Sequence, residues 1–294
     1  MVTVAVTGSS GKLGRHVVRE LHEHGYRVVA LDRVPDPAGQ ADARVRVELT
    51  DHGQVREALT GVDERHDGVD ALVHLAAIPA PGLATNAATF TNNITASYNV
   101  FAAARSAGVR NVVWASSETV LGLPFTTPPP YLPVDENYPP RPESTYSMVK
   151  TLEEEMARQF CRWVPDLKMI GLRFSNVMDP DDYAGFGAFQ HDPQLRRWNL
   201  WAYIDGRDGA QAVRRALELD SVGADVFIVA NADTVMPQRS ADLAAAEFPG
   251  VPVRHELGEH ETLLSIDKAR RVLSGARTRP RRLSSGFRPR PRTR

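Results

Sequence analysis

Tyr146 and Lys150 stand four residues apart in the run Tyr146-Ser147-Met148-Val149-Lys150. On a helix that spacing puts the phenol and the ammonium on one face. A free tyrosine, with a pKa of about 10, is a poor base at neutral pH, and a nearby ammonium favours its phenolate. The pair therefore suits proton transfer to and from a hydroxyl group. Such pairs also arise by chance on surface helices, so their weight depends on what accompanies them. Two serines, Ser116 and Ser117, close the apolar run Asn111 to Ala115 (NVVWA), and the chain opens with VTVAVTGSSGKLG from Val2 to Gly14. In that opening Gly8 permits a sharp turn, Gly11 lets main chain approach a ligand, and Gly14 lets a helix pack closely on the strand before it. The N–H groups of that helix's first turn face an anion, and a pyrophosphate is the usual one.

These groups need a scaffold, and the hydrophobic pattern supplies one. Five of the first six residues are apolar and mostly β-branched, as expected of a strand buried on both faces. A second run, Arg27 to Leu31, ends at Asp32, about 20 residues past the glycine turn, where a dinucleotide fold holds its adenosine ribose. Asp32 would repel a 2′-phosphate and favours NAD; Arg33 beside it could hold that phosphate, which keeps NADP open. The alternative is that Asp32 only ends a strand.

Further along, Arg44–Leu49 reads as a strand and Asp51–Leu59 as a helix, with Asp51 placed either to reach an adenine amino group or as a plain N-cap. Val69–Leu75 is the next strand; His74 reads as a packed histidine, and Leu75, Ala76 and Ala77 leave room for a cofactor to lie across the strand end. A helix over Asn86–Ala107, the strand Asn111–Ala115, a proline-rich connection from Gly122 to Pro142, the Tyr146 helix and a sixth strand over Leu167–Phe174 follow. Tyr203–Leu219 then reads as a strand end and an amphipathic helix, Asp225–Ala230 as a strand, and Ser240–Ala246 and Ile266–Leu273 as closing helices. Strand and helix alternating in this way predict an α/β fold with a doubly wound parallel sheet of the Rossmann type. The expected division is a nucleotide-binding domain over 1–175, a smaller C-terminal substrate lobe over 176–274 that interleaves with the last sheet elements, and a basic tail over 275–294.

Composition bounds the alternatives. At 294 residues and 42% hydrophobic content the chain can bury one large core, and it contains no apolar run long enough for a membrane span. A single cysteine, Cys161, excludes an internal disulfide framework and a cysteine-based zinc site, and fits a reducing cytoplasm. Net charge is −1, but eight arginines and no acids lie from Arg277 onward. That tail reads as a solvated, disordered arm rather than a nucleic-acid-binding one. His255, Glu256 and His260 imitate a zinc-protease helix, yet the histidines are five apart with Gly258 between them. No metal is expected. A serine-hydrolase elbow is missing as well.

Taken in order, TGSSGKLG, Asp32, HLAA, the Asn93 helix, WASSETVLG and the Tyr146/Lys150 pair resemble an extended short-chain dehydrogenase/reductase of the NAD-dependent epimerase/dehydratase family. The likeness covers roughly Val2 to Asn176 and extends weakly to Leu219. It implies Tyr146 as general acid/base, Lys150 lowering its pKa and binding the nicotinamide ribose, and Ser117 holding the reacting oxygen. It also implies a pyrophosphate lined by Gly8, Ser10, Gly11, Leu13 and Gly14, with Asp32 on the ribose and Asn93 beside the cofactor. The implied chemistry is hydride transfer at a secondary alcohol or carbonyl carbon of a sugar or sugar acid. A nucleotide-sugar 4-epimerase with tightly held NAD is the nearest alternative, and a non-catalytic dinucleotide-sensing regulator is one from another class. Dehydratases of the family carry Thr-Asp-Glu after the fifth strand; here Ser117, Glu118 and Thr119 occupy those positions, which disfavours elimination. Leu121 stands where a tyrosine often precedes the glycine, so the epimerase reading has less support.

Substrate contacts are expected from Ser116, Ser117, Glu118, Arg173, Asn176 and Tyr183. The segment Asp179 to Tyr183 is similar to that of hexuronate dehydrogenases. From Asp181 to Trp201 the chain is polar and aromatic, which suits either sugar recognition or the core of a small lobe. Family resemblance further implies a homodimer formed through the Asn86–Ala107 and Tyr146–Phe160 helices.

Overall fold

The computed structural model describes residues 1–34 and 39–273. Seven parallel strands form the central sheet: β1 (Thr3–Thr7), β2 (Arg27–Asp32), β3 (Ala43–Arg46), β4 (Ala71–His74), β5 (Asn111–Ser117), β6 (Lys168–Phe174) and, after a two-residue pair β7 (Val177–Met178) and β8 (Ile204–Asp205), β9 (Gly223–Val229). Their order is β3-β2-β1-β4-β5-β6-β9. The chain builds outward from β1 in one direction, then returns to β4 on its other side. The carboxyl ends of β1 and β4 thus flank the point where the winding reverses, the place where open α/β sheets leave a crevice.

Helices cover both faces. On one lie α2 (His52–Thr60), α3 (Asn86–Ser106) and α4 (Thr145–Trp163), which meet the sheet through Val55, Val100, Phe101, Phe160 and Trp114. The other carries α1 (Lys12–Glu23), α5 (Gly206–Glu218) and α7 (Asp267–Leu273), which pack Val17, Leu21, Val213, Leu217 and Leu273 against Val6, Val28 and Phe227. The small α6 (Ser240–Glu247) joins a third apolar cluster in which Leu121, Phe125, Trp201, Leu264 and Phe248 are buried. These three clusters make a doubly wound sandwich with an added lobe at the carboxyl end of β5 and β6.

Several boundaries moved relative to the sequence pattern. β5 continues through Ser116 and Ser117 because both pair in register with Arg173 and Phe174 of β6. The helix expected from Asp51 starts at His52, with the Asp51 carboxylate capping it through Gly53 N and Gln54 N. The proline-rich connection is tied into the lobe: Leu132 N donates to Pro252 O, Val134 N to Leu263 O, and the Glu136 carboxylate accepts from Ile228 N. The expected tail over 275–294 lies outside the described residues.

Candidate functional site

The glycine turn after β1 is as tight as its residue types require. Gly8 has φ of +67°, and a Cβ there would lie 2.7 Å from Ala76 N. At Gly14 a Cβ would stand 2.1 Å from Gly8 O. Neither position tolerates a side chain without moving backbone. Gly11 N donates to Gly8 O at 3.0 Å, and no side chain caps the first turn of α1. Asp32 sits at the rim: its Oδ2 accepts Ser10 N at 3.0 Å and its Oδ1 accepts Val34 N at 3.1 Å. The carboxylate is thereby locked in orientation at the end of β2.

From this turn a cavity of about 840 Å³ runs across the carboxyl ends of β1, β4 and β5 to Ser117, Tyr146 and Lys150. A capping box between Ser144 and Ser147 starts α4 and fixes Tyr146 in its first turn. Lys150, one turn on, donates from Nζ to Ala115 O at 2.8 Å and to Glu153 Oε2 at 2.9 Å, and its ammonium lies 5.8 Å from the Tyr146 ring centre. Burial pushes the Tyr146 phenol above its ordinary value. Lys150 and a hydrogen bond with Ser117 pull it back, while Glu153 and Glu118 add to the rise. Lys150 does pull the phenol down, as the i, i+4 spacing predicts, but desolvation outweighs it. Burial opposes charge on Lys150 too, yet the carboxylate of Glu153, then Tyr146 and Glu154, hold it above the usual lysine value.

Behind Lys150 a polar chain leads back to the glycine turn. Glu153 Oε1 accepts Ser97 Oγ at 2.7 Å, Ser97 Oγ lies 3.1 Å from His74 Nε2, and His74 Nδ1 lies 2.7 Å from Thr7 Oγ1. Burial, with Lys150 nearby, brings His74 down to about 3, so it is a neutral packed histidine. Glu153 was not singled out in the sequence, although its position three residues past Lys150 places it on the same helix face.

Gly8, Ser10, Gly11, Leu13, Gly14, Asp32, Arg33, Leu75, Ala76 and Ala77 line one part of the cavity, and Ser116, Ser117, Glu118, Tyr146, Lys150 and Asn176 the other. Four expected residues do not line it. Asp51 caps α2 instead of facing the cleft. Asn93 is spent on the loop after β4, exchanging two hydrogen bonds with the Ile78 backbone, and its neighbour Asn92 lines the cavity in its place. Arg173 is buried behind the site in a two-pronged pair with Glu154, at 2.9 Å and 2.8 Å. Tyr183 donates to Asp205 inside the lobe. The Asp179–Tyr183 segment also turns to α1, where Lys12 Nζ meets Asp182 at 2.6 Å and His16 Nε2 meets Asp179 at 2.6 Å. Among the lobe aromatics Trp198 reaches the cavity, whereas Trp201 is fully buried core. His255 and His260 make separate contacts, and no cluster of metal-ligating side chains occurs among the described residues.

The fold and this site define a dinucleotide-binding enzyme scaffold of the extended short-chain dehydrogenase/reductase type. The sequence profile of the NAD dependent epimerase/dehydratase family matches residues 4–197, and the chain belongs to that family. UDP-glucose 4-epimerase 2 of Oryza sativa subsp. japonica is 30% identical over 216 residues, 69% of this chain and 50% of that protein. The chain thus matches about half the length of that relative. Among solved structures, a UDP-galactose 4-epimerase is 27% identical with a TM-score of 0.66, covering 94% of this chain and 93% of that one. A short-chain dehydrogenase/reductase superfamily protein from Agrobacterium tumefaciens with bound NAD is 25% identical with a TM-score of 0.69, covering 92% and 91%. The cradle fits the cofactor of the family: backbone approaches too close for any Cβ at Gly8 and Gly14, an uncapped helix start, and a fixed carboxylate at the ribose end of the cavity.

Proposed function

We propose that this chain is an NAD-dependent oxidoreductase that transfers hydride at a secondary alcohol or carbonyl carbon of a sugar or sugar acid. One observation carries the reading: a single cavity joins the glycine turn and Asp32 to Ser117, Tyr146 and Lys150. NAD supplies the hydride acceptor when bound. Tyr146 takes the substrate hydroxyl proton and returns it in the reverse direction, while Ser117 Oγ holds the reacting oxygen by a hydrogen bond. Lys150 keeps a cation beside the phenol, and its two fixed bonds to Ala115 O and Glu153 leave one donor for the ribose. Asp32 accepts the ribose hydroxyls and disfavours a 2′-phosphate.

Y146F tests this directly. Turnover followed at 340 nm across sugars, uronic acids and nucleotide sugars should vanish while NAD affinity stays nearly unchanged; undiminished turnover refutes the assignment. A 4-epimerase acting on a UDP-sugar is the second reading, favoured by the UDP-glucose 4-epimerase relatives. Protein purified without bound cofactor that accumulates NADH counts against it.

We further propose a homodimer through α3 and α4, a cytoplasmic setting and no nucleic-acid or membrane partner. Tyr98, Met148, Leu152 and Trp163 leave large apolar surface exposed on those two helices, and no described helix is long and apolar enough to cross a membrane. Light scattering at micromolar concentration should give twice the chain mass; a monomer refutes the dimer.

A further inference from the structure

We infer that Glu118 makes the reacting end of the cavity select an uncharged sugar ring over a sugar acid, whether that ring is a free sugar or the glycosyl part of a nucleotide sugar. The inference rests on the proposed oxidoreductase reading and deepens it. Glu118 directly follows Ser117, lines the same cavity as Tyr146, and is 3% exposed. Its hydrogen-bond partners are neutral: Oε2 accepts Ser175 Oγ at 2.7 Å and Oε1 accepts Asn199 Nδ2 at 3.2 Å.

No nearby cation is bonded to Glu118 among the described residues. Arg196 acts on Glu118 at a distance, without a hydrogen bond to it: its NH2 donates to Ala202 O at 3.1 Å and its guanidinium lies 5.2 Å from both the Phe189 and Trp198 rings. Arg173 is tied to Glu154 and Lys150 to Glu153. A carboxylate on the substrate, brought against this end, meets a second carboxylate in a water-poor setting, where like charges repel strongly. Ring hydroxyls meet an acceptor instead. Burial raises Glu118 to about 7, against the pull of Ser175, Asn199 and Arg196. A sugar acid can therefore enter most easily when Glu118 carries a proton, and the repulsion grows as pH rises through neutrality. An uncharged sugar has no such penalty.

The test compares D-glucose with D-glucuronate, D-galactose with D-galacturonate, and UDP-glucose with UDP-glucuronate, reading NADH formation and, for the nucleotide sugars, epimer formation between pH 6 and 8. The expected result is a kcat/KM at pH 8 at least about tenfold higher for the uncharged member of whichever pair is used, with the ratio of the uncharged to the acid value widening as pH rises. E118Q, which keeps the shape of the side chain, should narrow that ratio by about tenfold and remove its growth with pH. The free and nucleotide-linked arms show which source supplies the ring. Equal or better use of the acid by the wild-type protein, or loss of both activities in equal measure in E118Q, refutes the inference alone. Turnover of no compound in any arm refutes the oxidoreductase reading itself.

Discussion

Replacing Arg173 with methionine separates a buried structural arginine from a substrate-binding one. In the native protein Glu154 Oε1 accepts Ser116 Oγ at 2.7 Å and Arg173 Nε at 2.9 Å, and Oε2 accepts Arg173 NH2 at 2.8 Å. The two side chains are 3% and 0% exposed. R173M removes the counter-charge and two of the three bonds, stranding a carboxylate that water cannot reach. Breaking a buried pair from one side costs about 3–5 kcal/mol, because the penalty is the desolvation of the remaining charge rather than the worth of the pair. At this chain length that corresponds to a fall in Tm on the order of 10 °C. The double variant R173M/E154L removes both charges and should recover most of the loss. The assay is thermal or urea unfolding of the three proteins, with KM for the best substrate measured in parallel. Since Arg173 does not line the cavity, KM should change by less than about twofold. A tenfold rise in KM with unaltered unfolding would show that Arg173 contacts substrate and refute this account.

Other outcomes follow from the same geometry. G14A should abolish detectable NAD binding, measured by fluorescence quenching, because its Cβ would stand 2.1 Å from Gly8 O and force the turn apart; retained affinity refutes the close-approach argument. D51A should lower thermal stability slightly through loss of the α2 cap and leave NAD affinity unchanged, whereas weakened binding would restore Asp51 to the cofactor. For alcohol oxidation, kcat/KM should climb into the alkaline range, since the phenolate of Tyr146 is the active form and burial holds the phenol above its ordinary value; a profile that peaks in acid refutes Tyr146 as base. Arg207 and the Tyr183 hydroxyl hold the Asp205 carboxyl far below the usual carboxylate range. Its stabilisation is present above the unfolded pKa of about 3.9 and is lost as pH falls through the folded one, so the Tm gap between wild type and D205N should narrow between about pH 5 and pH 3.

Much of this molecule was written locally. The strand, glycine turn and helix of Val2–Glu23, the carboxylate ending β2 and the i, i+4 pair on α4 follow from short-range pattern, because periodicity and glycine placement act over a few residues. So did the buried, neutral character of His74, which closes β4 after three apolar residues. What the sequence could not decide was the direction in which polar side chains find partners across the fold. Arg173 and Tyr183 have the chemistry of ligand contacts, but Glu154 lies 19 residues before one and Asp205 22 after the other, and only the packing of α4 on β6 and the turn of the lobe brought them together. Glu153 gained its hold on Lys150, and Glu118 its isolation from any bonded cation, in the same way. Sequence determined the residue types and the helix and strand faces that carry them; tertiary packing decided which charges are buried together, because desolvation and pairing depend on neighbours that are distant along the chain.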